Sequence, residues 1–144
     1  MNDVKNFLEM VREKRNKVRR MEEALAENTV RAESVTGLSL GEKVQTSNKA
    51  TIDAMLAAIE EERKRLADAQ KELEDVTEKA KALINTIRDD EIAWQILWHR
   101  YILGETWNVI AKRMNYSRWT VMRLADEGIA KINKSCYIVL HHAT

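Results

Sequence analysis

From the third residue onward, apolar side chains return every seven positions. Val4, Val11, Val18, Leu25 and Ala32 form one row, and Phe7 and Met21 stand in a companion row that Lys14 and Asn28 interrupt. A repeat of 3.5 residues keeps one narrow stripe facing a partner helix, so residues 3–33 are predicted to form a long helix. Over 34–48, SVTGLSLGEKVQTSN, two glycines and several hydroxyl residues break the period, which predicts a loop. A second row follows: Ile52, Ile59, Leu66, Leu73, Ala80 and Ile87, with Met55, Ala69, Val76 and Leu83 as companions and Glu62 as the one fault. This helix is expected to start near Lys49, capped by Ser47 or Asn48, and at 1.5 Å per residue to run roughly 60 Å. The runs EEERKR and KELED then lie on solvated faces. The simplest assembly is an antiparallel coiled-coil hairpin, closed within one chain or swapped between two. Seams this narrow are marginal for an isolated pair, so a homodimer or higher homo-oligomer is expected.

After residue 88 the spacing changes. Asp89, Asp90 and Glu91 suit the positive end of a helix dipole, and Ile92, Trp94, Ile96, Leu97, Tyr101 and Ile102 supply an apolar face. Gly104 is expected to end that helix in a left-handed conformation. Thr106 can cap a short helix over 107–114 that turns Val109, Ile110 and Met114 inward, with Ala111 allowing close contact. Asn115 and Tyr116 break the period. Ser117 can cap a last helix over 118–133 that turns Val121, Leu124, Ala125, Gly128 and Ile132 inward. The expected core is Ile96, Leu97, Tyr101, Trp107, Ile110, Ala111, Val121 and Ile132, with Trp94 and Trp98 also assigned to the interior. The fold class is therefore all-α: a hairpin over 1–88, a three-helix head over 89–135, and a tail over 136–144 that extends the last helix or packs on a partner. Two short helices joined by a tight polar turn form a helix-turn-helix, the arrangement that places a helix start in the DNA major groove. An ordinary helical hairpin has the same outline.

Composition sharpens this picture. The 144 residues contain no proline and only four glycines, which favours long helices. A net charge of +1 gives no global polycation argument for nucleic acid, but the charge is unevenly placed. Residues 89–105 carry Asp89, Asp90, Glu91 and Glu105 against Arg100. Residues 107–135 carry Lys112, Arg113, Arg118, Arg123, Lys131 and Lys134 against Asp126 and Glu127. A footprint that modest calls for duplication by oligomerisation. The basic run Arg12, Lys14, Arg15, Lys17, Arg19 and Arg20 reads first as a solvated helix face and second as a nonspecific phosphate surface.

A single cysteine, Cys136, excludes an internal disulfide and fits a reducing compartment. No stretch of 18 apolar residues and no signal pattern occur, so a cytoplasmic protein with no membrane partner is expected. Cys136, His141 and His142 offer at most three soft ligands, so no metal site is expected. A phosphate loop, a nucleophile elbow and an HExxH pair are all missing, so neither an enzyme nor a cofactor is expected.

The segment RYILGETWNVIAKRMNYSRWTVMRLADEGIAKI resembles region 4 of bacterial sigma factors. With its helical N-terminal half, the chain looks most like small phage and prophage proteins of unassigned role that end in such a region. The match runs through Arg100-Tyr101, Gly104, Trp107, Ile110-Ala111, Tyr116-Ser117-Arg118, Val121 and Ile132. The resemblance implies sequence-specific binding of double-stranded DNA in phage-type transcription control. It places Arg118, Trp119, Met122 and Arg123 at the bases and Thr120 near the backbone. Trp119 and Met122 stand where that family usually has polar residues, so contacts to thymine methyl groups are expected there. Lys112, Arg113 and Ser117 complete the expected backbone contacts. Two other functions share this outline: a phage small terminase subunit that recognises packaging-site DNA, and a coiled-coil adaptor whose head binds RNA polymerase or another protein.

Overall fold

A computed structural model describes residues 3–39 and 46–142, with side chains over 3–34 and 49–135. Every element among the described residues is helical. α1 spans Asp3–Ser39 and α2 spans Thr46–Asn85. α3 spans Glu91–Leu97 and runs on as a π-helical segment, Trp98–Ile102. α4 spans Trp107–Met114 and α5 spans Arg118–His142. The all-α fold class holds. No helix among the described residues is long and apolar enough to cross a membrane.

The predicted loop is shorter than its composition suggested. α1 runs through Gly37 to Ser39, and α2 already begins at Thr46, so Ser47 and Asn48 lie inside the helix rather than capping it. One glycine costs a helix only about 1 kcal/mol relative to alanine, too little to stop one already propagating. Residues 40–45 lie outside the described set. The last helix likewise passes residue 133 and takes in most of the tail.

The chain divides into two compact units. One is formed by Asn16–Glu72, which takes in the C-terminal part of α1 and the N-terminal part of α2. Here the heptad rows meet as expected: Val18, Ala32, Ile59 and Leu66 are buried, and Met21, Leu25, Met55 and Ala69 are half-buried. The pairs Gln70 to Glu22 (3.2 Å) and Asn28 to Glu62 (3.1 Å) show the two segments antiparallel.

The other unit joins residues 1–15 to 73–144. Its core gathers Val4, Leu8 and Val11 from α1, Ala80 and Ile84 from α2, and Ile87 from the turn that follows. To these it adds Ala93, Ile96, Leu97, Tyr101, Ile102, Ile110, Ala111, Val121, Ala125, Ile129 and Ile132. The head anticipated over 89–135 therefore shares one core with the flanking ends of the hairpin. Burial of each valine, leucine or isoleucine among them stabilises the unit by about 1.5–3 kcal/mol. At Gly128 a Cβ would lie 3.1 Å from both Ala93 Cβ and Leu97 Cδ1, so α5 crosses α3 closely enough that a side chain there would push its neighbours aside.

Two inward assignments are corrected, and three tryptophans pack at the margin of the core. Ile92 is 44% exposed and Val109 is 46% exposed, because Ala93 and Ile110 take the buried positions beside them. Trp107 is only half-buried, lying under the Arg100 guanidinium with 4.2 Å between the guanidinium carbon and the ring centroid. Trp94 and Trp98 are also half-buried and stack on each other with centroids 5.1 Å apart.

Candidate nucleic-acid interface

The turn between α4 and α5 is built by three local devices that the residues dictate. Thr106 accepts a hydrogen bond from the Val109 amide at 3.3 Å and so starts α4. Asn115 ends it in the left-handed region at φ 58°, a conformation asparagine tolerates better than most residues. The Tyr116 amide then donates back to the Ala111 carbonyl at 3.0 Å. Ser117 starts α5: its Oγ accepts from the Thr120 amide at 3.1 Å and meets Thr120 Oγ1 at 2.8 Å. Gly104 stands at φ 76°, as anticipated from its place after the preceding helix.

Against this frame α5 buries Val121, Ala125, Gly128, Ile129 and Ile132 and half-buries Leu124. The opposite face of its first turns is free. Trp119 is 70% exposed and Met122 39% exposed, and Arg118 and Arg123 are exposed as well. Of the two places the sequence left open for Trp119, contact with DNA or packing against the long helix, this exposure excludes the second. At about 100° per residue Arg118 and Arg123 lie about 140° apart around the helix axis. They flank the Trp119–Met122 surface rather than forming one cationic cluster.

The expected contact residues differ in what already holds them. Among the described residues nothing pairs with Arg118 or Lys112, and both are exposed. Arg123 donates to Glu127 at 3.0 Å and lies 5.4 Å over the Trp119 ring. Arg113 is drawn back toward the α3–α4 connection, with Nη1 at 2.7 Å from both Glu105 Oε2 and His99 Nδ1. The Ser117 and Thr120 hydroxyls are engaged with each other in the cap. Lys131 donates to Asp90 and ties α5 to the start of α3, while Lys134 has no partner among the described residues. Lys5 pairs with Asp126 at 3.2 Å, which offsets one of the two acidic groups on the exposed flank of α5.

The basic run on α1 is not uniformly a solvated face. Lys17, Arg19 and Arg20 are exposed, but Arg12 and Arg15 are half-buried in the unit that contains α3 to α5. Arg15 donates to the Ile102 carbonyl and, at 3.3 Å, to Thr77. Heptad spacing could not reveal this inward turn, since it depends on helices remote in sequence. Tyr101 is 1% exposed and its hydroxyl donates to Glu9 at 2.9 Å; burial first, then the Glu9 charge, pushes its pKa upward. Cys136, His141 and His142 lie outside the residues whose side chains are described.

No protein-family model matches the chain, and neither a curated protein nor a solved structure shows significant similarity to it.

Proposed function

We propose that the chain is a sequence-specific DNA-binding protein that acts as an oligomer, in the setting of phage-type transcription control that the likeness to sigma region 4 implies. The observation that carries this reading is the free, Ser117-capped start of α5, held by its buried face against α3 and α4 while Arg118, Trp119, Met122 and Arg123 stand exposed. A helix presented by its N-terminal turns from a helix-turn-helix frame suits the major groove. The pairing of Arg123 with Glu127 does not remove it from use. A surface i,i+4 pair stabilises by about 0.3–0.5 kcal/mol and an exposed cation–π contact by about 0.5–1 kcal/mol. A bidentate contact to guanine discriminates by about 1–3 kcal/mol, enough to draw the guanidinium away. Arg118 and Lys112, which have no partner among the described residues, are the natural first contacts. Asp126 and Glu127 set the limit of the contact surface along α5.

Selection of bound fragments from a random duplex pool tests this. The native chain is expected to enrich one motif, and Arg118→Ala with Arg123→Ala to enrich none while helicity and oligomeric state stay unchanged. Recovery of the same motif by the doubly substituted protein would show that the assigned surface is wrong. A second reading, an adaptor that docks RNA polymerase, draws support from the apolar exposure of Trp119, Met122, Val109 and Tyr116. Absence of any duplex affinity at low salt would favour it.

A further inference from the structure

An open groove of about 510 Å³ runs along α5, lined by Trp119, Met122, Arg123, Asp126, Glu127 and Ala130. Helical spacing puts these six on one stripe, opposite the side that carries Val121, Ala125, Gly128 and Ile132. All six are exposed.

The stripe is ordered from end to end. Its first half carries the largest side chain, Trp119, and the cation Arg123. Its second half carries the anions Asp126 and Glu127 and closes on the small Ala130. Within the chain Arg123 pairs with Glu127 at 3.0 Å, and Lys5 reaches Asp126 at 3.2 Å. The two cations and two anions of this face therefore balance. Both pairs are exposed and screened by solvent, so they exchange partners at little cost.

Turned end for end about a point between Leu124 and Ala125, the stripe is complementary to itself. An antiparallel second α5 brings its Ala130 level with Trp119, its Asp126 level with Arg123 and its Glu127 level with Met122. Large then meets small and cation meets anion, and symmetry repeats each contact. A duplex offers only negative charge to this half of the helix, which Asp126 and Glu127 oppose. A purely apolar partner would leave the three charged groups of the stripe unmatched.

We propose that this face is an interface between two copies of the chain, paired through antiparallel α5 helices about a two-fold axis. A single helix stripe is a small interface, so the pairing is weak and concentration-dependent. It does not rest on the DNA-binding reading. If that reading holds, a paired head has its Trp119–Met122 surface covered, so pairing and entry into a groove exclude each other.

Sedimentation of the full chain over a concentration series tests the interface through its charges. Arg123→Asp and Asp126→Arg each set like charges opposite one another, and each alone is expected to lower the average mass of the native assembly. An equimolar mixture of the two reversed chains regains opposite charges at both contacts and is expected to recover the native mass. Ala130→Trp, which brings two large rings level, should lower the mass as well. Arg118→Ala, off the stripe, and Arg123→Ala, which removes only a screened pair, should leave it unchanged. Native mass in both reversed chains overturns the proposal, as does a mixture no heavier than its components or a native chain that stays monomeric throughout. If a reversed chain loses helicity, Ala130→Trp decides alone, and native mass there overturns the proposal. Selection from a duplex pool reports on DNA binding separately, so either reading can fail without the other.

Discussion

Asp90 has two tasks at the start of α3. Its carboxylate accepts from the Ala93 amide at 3.3 Å, capping the helix, and it accepts from Lys131 on α5. The Lys131 hydrogen bond above all holds its pKa below the ordinary carboxylate value; burial, next in size, pushes it upward, and the Ala93 amide adds to the lowering. A carboxyl whose pKa is lowered by folding adds stability above its unfolded value of about 3.9 and loses it as pH falls through the folded value. Asp90→Asn keeps a capping acceptor but removes the charge. It is expected to lower stability at pH 7 by about 0.5 kcal/mol, since solvent screens this partly exposed pair. The difference from the native chain should shrink as the pH falls below about 3.9 and through the lower folded value. Urea unfolding at a series of pH values between 7 and 3 checks both points. The spacing marked Asp90 as lying at a helix start, but its partner 41 residues onward could not be read from the sequence.

Among the elements, the two long helices show how a flaw in a pattern becomes a device. Asn28 and Glu62 are faults in separate heptad rows, and they meet: Asn28 Nδ2 donates to both Glu62 oxygens at 3.1 Å. A polar pair at a seam fixes register at some expense of stability. Asn28→Leu alone leaves a half-buried carboxylate without its donor and is expected to destabilise by about 1–3 kcal/mol. Asn28→Leu with Glu62→Leu should recover that loss and exceed native stability in urea titration, so the cycle shows strong coupling. A simple sum of the two single effects would refute the register role. Leu8 and Ile84 make the complementary point. Each stands one place beyond a heptad companion, where two helices alone would leave it at the edge, yet each is fully buried because α3 and α5 supply further walls.

For the molecule as a whole, the proposed function depends on presenting more than one α5 start to DNA. The unit formed by residues 16–72 leaves Val30 at 64% and Leu56 at 51% exposure, apolar surface that a second chain would cover. Sedimentation at micromolar concentration is expected to show a dimer or larger species. Val30→Gln with Leu56→Gln should shift it toward monomer without loss of helicity. A native chain that sediments as a monomer at every concentration would remove the oligomeric part of the proposal. Paired half-site spacing in the selected DNA would then also be absent.

What the amino-acid order determined by itself is local. Periodicity placed the long helices, and the capping chemistry of Thr106, Asn115 and Ser117 set the ends of α4 and the start of α5, because these effects act within a few residues. Exposure of Arg118, Met122 and Arg123 was legible for the same reason, since the apolar stripe of α5 leaves the opposite face for solvent, whereas Trp119 could equally have packed against the long helix. Tertiary packing decided the rest. It drew the ends of α1 and α2 into one core with α3 to α5, exposed Ile92 and Val109, tied Arg113 to Glu105, and turned Arg15 toward Ile102 and Thr77. Each of these outcomes depends on which surfaces meet across long stretches of chain, and helical spacing carries no record of that.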